Sequence, residues 1–265
     1  MTTYSTSLVA TTARFPPTFN CYGQWKWKQL YFLGPESDEK MFTVSFDTEA
    51  FSKKQSLFLH SGPSDKGPVI ATVRRKTMRS HHQATITLQG GDGKEQEIPF
   101  ERPEDVSRTR GEVRAFRIEL RKGVIEEFQW RTSHRDEIKK LAGHSHGWKL
   151  VRMETPQAGQ KSFGYLSDGK EVVAVLAHST SWSMTKTYKF GFLGTGLTRT
   201  LGKDWETAAC GKRSVSWSNC GCCQLKWTGY FSEAYAYIVL NLKAIMGNGP
   251  NWLESISTWM NAKIH

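Results

Sequence analysis

The chain has 265 residues, of which 38% are apolar and 23% charged, and this composition excludes a disordered or collagen-like protein. Lys and Arg number 36 against 25 Asp and Glu, so the formal net charge is +11 and anionic partners are expected. The first residues contain no basic region followed by an apolar run, which predicts no secretory signal and a cytoplasmic protein.

Short strands broken by turns dominate the chain up to residue 200. Eleven strands are predicted, at residues 30–33, 41–46, 56–60, 68–73, 84–88, 113–120, 124–130, 148–153, 161–166, 171–177 and 187–193. Ser-Asp-Gly-Lys at 167–170 predicts a tight hairpin turn, and residues 135–141 predict at most two helical turns. This spacing is typical of consecutive antiparallel strands.

The C-terminal part has a different pattern. Residues 234–246 are apolar nearly all the way round a helix but fall short of the ~20 residues needed to span a bilayer. A helix that is apolar on every side is buried in protein. The predicted fold is therefore mainly β, a closed antiparallel barrel around this helix. Its domains are an N-terminal segment at 1–24, one barrel at 25–246 and an amphipathic tail at 247–265.

Five strings in the predicted barrel carry a resemblance to a known family. They are LHSGPSDKGPVIAT at 59–72, FQWRTS at 128–133, GWKLVR at 147–152, DGKEVVAV at 168–175 and FGFLGTG at 190–196. With the strand-then-helix layout, the chain resembles the tubby C-terminal-like superfamily, which includes LURP-one-related proteins and phospholipid scramblases, and in particular filamentous-fungal members. The resemblance implies about twelve strands around a central hydrophobic helix, phosphoinositide binding and association with membranes.

The resemblance weakens after Trp205. Residues 210–232 form an atypical segment that contains four of the five cysteines, namely Cys210, Cys220, Cys222 and Cys223. One hypothesis is a retained intron or a diverged gene model. The central helix is then either 234–246 or a segment nearer Trp205.

Two basic groupings are candidate sites for anionic lipid headgroups. The first contains Arg74, Arg75, Lys76 and Arg79, and the second contains Arg108, Arg110 and Arg114. Alternation over 113–120 places Phe116, Ile118 and Leu120 on one face and Arg114 with Arg117 on the other. Solvated strand faces are the alternative interpretation, since acidic residues are interleaved nearby.

Metal, cofactor and nucleic-acid sites are not predicted. The cysteine spacings do not match a zinc site, and His144 with His146, flanked by glycines, is read as a solvated loop. No P-loop, dinucleotide fingerprint or nucleophile elbow is present, so no cofactor and no catalytic residue are assigned. No DNA- or RNA-binding motif stands out.

The sequence therefore favours a non-enzymatic tubby-like barrel that binds anionic phospholipid or a protein partner. The alternative is an accessory enzyme, a cyclase or isomerase of a fungal secondary-metabolite pathway, with a large apolar small molecule as its substrate inside the barrel.

Overall fold

The computed structural model describes residues 15–24, 30–47, 56–75, 83–89, 95–104, 112–121, 123–144, 146–154, 164–179 and 186–216. The chain divides into two compact units, Met1–Val215 and Ser216–His265. The second unit lies almost entirely outside the described residues, and with it the predicted helix at 234–246 and the predicted tail at 247–265. The fold given below is that of the first unit.

Thirteen strands lie within the described ranges. They are β1 (Thr18–Gln24), β2 (Leu30–Gly34), β3 (Phe42–Asp47), β4 (Ser56–Ser61), β5 (Val69–Arg75), β6 (Ala84–Gln89), β7 (Glu95–Glu101), β8 (Val113–Arg121), β9 (Val124–Ser133), β10 (Gly147–Arg152), β11 (Leu166–Ser167), β12 (Lys170–His178) and β13 (Lys186–Phe192). The same ranges contain three helices, α1 (Asp136–Ala142), α2 (Gly194–Leu197) and α3 (Lys203–Ser216).

Twelve of these strands form a closed antiparallel barrel. Strands β1 to β10 pair with their neighbours in sequence order, β1 pairs with β13, β13 with β12, and β12 with β10. The short β11 pairs with β12 beside the barrel. The predicted closed antiparallel barrel of about twelve strands is confirmed.

Three elements differ from what the sequence predicts. Strand β1 lies inside the predicted N-terminal segment 1–24, yet it pairs with both β2 and β13 and so closes the barrel. Strand β7 was not predicted, because only Ile98 and Phe100 of its seven residues are buried and Pro99 interrupts the pattern. Of the strand predicted at 161–166, Gly164 and Tyr165 are not in a strand, Leu166 begins β11, and residues 161–163 lie outside the described residues.

The predicted turn at 167–170 is confirmed. Ser167 pairs with Lys170, and the two residues between them have positive φ angles, 54° at Asp168 and 75° at Gly169. Two central residues of this kind make the turn whose twist matches that of the flanking strands. The predicted short helix at 135–141 also exists, as α1.

Helix α3 packs against strands on opposite sides of the barrel. The Trp205 ring lies 5.5 Å from the ring of Phe128 on β9 and 5.9 Å from that of Phe192 on β13. Further along α3, a Cβ added to Gly211 would stand 3.5 Å from Ile86 on β6 and 3.7 Å from Val73 on β5. A helix near Trp205 therefore fills the barrel interior. The break suggested at residue 210 is absent, because buried Cys210 and Gly211 continue this helix.

Helix α1 covers the outer face of the barrel wall. Its fully buried Ile138 packs with Val151, Val175 and Ala177 of β10 and β12. Gly147 allows this close packing, because a Cβ there would collide with the carbonyl oxygen of Leu176. Strand β12 is consequently buried on both faces along most of its length.

Every strand pair is antiparallel, so the connections alternate between two ends of the barrel. We call one end the basic end; its connecting segments are residues 25–29, 48–55, 76–83, 102–112, 134–146 and 179–185. At the opposite end lie residues 35–41, 62–68, 90–94, 122–123, 153–165, 168–169 and 193–202.

Candidate anion-binding site

The two barrel ends differ in charge. The connecting segments of the basic end carry twelve Lys and Arg against six Asp and Glu, a net charge of +6. Those of the opposite end carry six Lys and Arg against seven Asp and Glu, a net charge of −1. The order of the strands assigns these segments of the sequence to the two ends, and the whole excess of the basic end comes from residues outside the described ones.

The first predicted basic grouping belongs to the basic end. Arg74 and Arg75 are the last two residues of β5, and their backbones pair with Thr85 and Ala84 at the start of β6. The Arg74 side chain is exposed and available to a ligand. Lys76 and Arg79 belong to the segment between these two strands, outside the described residues.

The second grouping belongs to the same end. Arg108 and Arg110 lie outside the described residues, in the segment that joins β7 to β8, and Arg114 is the second residue of β8. Because β5–β6 and β7–β8 connections fall at the same end, the topology brings both groupings to one end of the barrel. The sequence predicted the two groupings but gave no reason to place them together.

The expected outward direction of Arg114 is wrong. Arg114 is 3% exposed and lies on the same side of β8 as the buried Phe116 and Ile118, since residues two apart on a strand share a face. One of its guanidinium nitrogens donates to Glu112 Oε1 at 2.6 Å and the other to the Val113 carbonyl oxygen at 3.0 Å. Burial lowers the pKa of Arg114, and the Glu112 carboxylate opposes that shift. Arg114 acts as a structural residue of the barrel.

Three histidines that are distant in sequence form a row at the basic end. The ring centroids of His134 and His146 are 5.3 Å apart, and those of His146 and His178 are 5.1 Å apart. His134 follows β9, His146 precedes β10 and His178 ends β12, so the three belong to neighbouring strands. We call these residues the histidine row. Sequence spacing singled out only His144 and His146, because the other two partners depend on strand register.

The connecting segments of the basic end also carry large aromatic residues. Trp25, Trp27, Phe51 and Trp182 all belong to these segments. Tryptophan partitions to the interface between lipid and water, whereas lysine and arginine are attracted to anionic headgroups. All four of these aromatic residues lie outside the described residues.

Neither family models nor curated proteins match this chain. Among the described helices, none has the length and apolar character required to cross a membrane. Within the same part of the chain, no group of three or more His, Cys, Asp or Glu side chains is arranged to hold a metal ion.

Proposed function

We propose that this protein is a non-enzymatic, tubby-like barrel that binds anionic phospholipid surfaces through its basic end. The charge difference between the two ends, +6 against −1, is the observation that carries the proposal. The resemblance of the sequence strings to tubby-like proteins supports it, because that family is associated with membranes.

The electrostatic attraction at this end is sufficient for reversible binding to an anionic membrane. A Lys or Arg near an anionic leaflet contributes roughly 1 kcal/mol of attraction, which falls off within a Debye length of about 8 Å at physiological salt. A net excess of six cations would therefore contribute about 6 kcal/mol if all of them contacted lipid, which corresponds to a dissociation constant of tens of micromolar.

The distribution of aromatic residues favours a lipid surface over other anionic partners. Trp25 and Trp27 alternate in sequence with Lys26 and Lys28 in one connecting segment, which lies outside the described residues. A nucleic acid or an acidic protein would use the same positive charge, but insertion of tryptophan among headgroups adds an apolar contribution that only a bilayer supplies.

Vesicle sedimentation tests the proposal. The protein is mixed with neutral phosphatidylcholine vesicles and with vesicles in which about one third of the lipid is phosphatidylglycerol. We expect pelleting with the anionic vesicles, and we expect it to weaken as salt shortens the Debye length. Equal pelleting with both kinds of vesicle at moderate salt would contradict the proposal. Retention on an acidic protein without retention on vesicles would support the protein-partner alternative instead.

The accessory-enzyme alternative stays a prediction of the sequence. A synthase and oxidases encoded beside this protein's gene would favour it. A purified protein that leaves the pathway intermediate unchanged would count against it.

A further inference from the structure

The histidine row lies at the mouth of the barrel on the side of the wall that faces away from α1. Three neighbouring residues establish this direction: Ser133 donates to Glu137 of α1 at 2.7 Å, Gly147 lies against Ile138, and Ala177 packs in the α1 cluster. Successive residues of extended chain point to opposite faces. His134, His146 and His178 each adjoin one of these three, so they line the mouth rather than the outer wall.

The row is also accessible. The side chains of His134 and His146 are exposed, and that of His178 is half-buried. The backbone N–H of His178 donates to the His146 carbonyl oxygen at 3.3 Å, which fixes the two residues beside each other. Three imidazoles therefore present a surface about three strands wide at the end of the barrel that carries the positive charge.

We propose that the histidine row binds lipid phosphate groups in its imidazolium form, so that the barrel holds anionic membranes more tightly as the pH falls. This inference rests on the proposed function and names the pH-regulated subsite within it. An imidazolium donates through both ring nitrogens, which makes it a charge-assisted donor to phosphate oxygens.

Protonation of the row is coupled to anion binding. An isolated histidine has a pKa of about 6.5. A bound phosphate supplies an opposite charge beside the ring and so favours the imidazolium form. The row therefore takes up protons when lipid binds, and by linkage the affinity rises as the pH decreases through the histidine range.

The charged and titratable groups around the row are few among the described residues. Arg135 and Asp136 stand at the start of α1, His144 accepts a hydrogen bond from the His146 backbone N–H at 3.3 Å, and Lys186 and Tyr188 belong to β13 beside His178. On the other face of the wall, Glu137 and Lys149 form a buried ion pair at 3.5 Å under α1. The groups that adjoin the mouth thus add net positive charge to the row.

The test measures binding of the full chain to phosphatidylglycerol vesicles at about pH 7.5 and about pH 5.5, on either side of the usual histidine pKa. The phosphodiester of this lipid stays singly ionised over that range, so only the protein titrates. We expect the affinity to increase about tenfold between the two conditions, which corresponds to an average uptake of about half a proton over the two pH units. The triple variant His134→Gln, His146→Gln, His178→Gln should lose this increase, so that its affinity is about the same under the two conditions.

His81→Gln with His82→Gln is the matched control, because both residues belong to a connecting segment of the same end but not to the row. We expect the control to keep the pH dependence. A control that loses it, or a triple variant that keeps it, would overturn the inference while leaving the proposed function intact. Absence of binding at every pH would instead contradict the proposed function.

Calorimetry on the wild-type protein provides a second test that needs no variant. Vesicle binding is measured near the histidine pKa in two buffers of different ionisation enthalpy, and the difference in heat gives the protons taken up. Uptake of about half a proton is expected, and uptake near zero would contradict the inference. Inorganic phosphate at matched ionic strength is added as a competitor. Displacement at concentrations comparable to that of the lipid would assign the row to free phosphate rather than to a membrane.

Discussion

Trp205 on α3 packs against Phe128 on β9 with their ring centroids 5.5 Å apart, inside the barrel that surrounds both. The two residues are separated by four strands and two helices in sequence. Their contact shows that the segment just after β13 returns into the barrel and supplies its core.

Truncation of Trp205 tests this packing. Trp205 is 1% exposed, so Trp205→Ala should lower the free energy of unfolding by about 3–5 kcal/mol, measured by urea denaturation. Trp205→Phe should cost less, since it keeps an aromatic ring and removes an indole N–H that has no hydrogen-bond partner among the described residues. Leu197→Ala is the control, because Leu197 is 47% exposed and should change stability by less than about 0.5 kcal/mol. Equal effects at Trp205 and Leu197 would be inconsistent with α3 as a core element.

A substitution at Gly211 is expected to raise the free energy of unfolding rather than lower it. A Cβ at this helical position would meet Ile86 and Val73 at 3.5–3.7 Å, which is ordinary van der Waals contact. Alanine also favours a helix over glycine by about 1 kcal/mol. Gly211→Ala should therefore raise the free energy of unfolding by up to about 1 kcal/mol, measured as a shift of the urea midpoint. A destabilised Gly211→Ala protein would show that α3 does not lie where it is described.

The buried carboxylate of Glu171 holds α2 to the barrel. It accepts hydrogen bonds from the Thr195 backbone N–H at 2.6 Å and from the Thr195 hydroxyl at 2.8 Å, and Arg152 lies 3.9 Å away. Removing one partner of a buried charged network leaves other groups unsatisfied, so Glu171→Gln should cost about 3 kcal/mol in the free energy of unfolding. Asp168→Asn is the matched control.

Asp168 pairs with Arg131 at 2.9 Å, but its side chain is 75% exposed. Asparagine tolerates the positive φ of this turn, so the control should change stability by less than about 1 kcal/mol. If Glu171→Gln lowered the free energy of unfolding no more than Asp168→Asn does, the result would argue against a buried anchor for α2.

Cys210 should be unreactive in the folded protein. Burial raises its pKa well above the ordinary value, and the nearby Glu206 carboxylate raises the pKa further, so the thiol stays protonated and shielded. The thiolate is the reactive form. Iodoacetamide should therefore label Cys210 only after unfolding, even above pH 9, as followed by mass spectrometry of peptides. Rapid labelling of Cys210 in native protein would contradict its position in the barrel.

Much of the fold could be predicted because strict alternation of apolar and polar residues indicates a strand. Strand β8 and the turn at Asp168–Gly169 were found this way. Helix α3 was not, because its charged residues make it less apolar than 234–246. The small residues Ala208, Ala209 and Gly211 let α3 lie close to the surrounding strands. The hydrophobicity of the segment does not reveal how closely it can pack.

Only part of the candidate site could be predicted from the sequence, namely the basic groupings but not their position at one end of the barrel. Arg74 and its neighbours stand out as a cluster in sequence, but the net charge of the end depends on which connections share it. That grouping follows from antiparallel closure rather than from local composition. The direction of Arg114 was misread although its even spacing from Phe116 and Ile118 was available in the sequence. Membership of the tubby-like superfamily remains a prediction.

We expect the location of charge, rather than the total charge, to direct this protein to anionic membranes. Two variants with the same net charge test it. One carries Arg74→Gln, Lys76→Gln and Arg79→Gln at the basic end, and the other carries Lys66→Gln, Lys94→Gln and Lys122→Gln at the opposite end. Affinity for phosphatidylglycerol vesicles is then measured at physiological salt. The account predicts a loss on the order of 100-fold for the first, at roughly 1 kcal/mol per cation, and less than about threefold for the second. Equal losses in the two variants would contradict it.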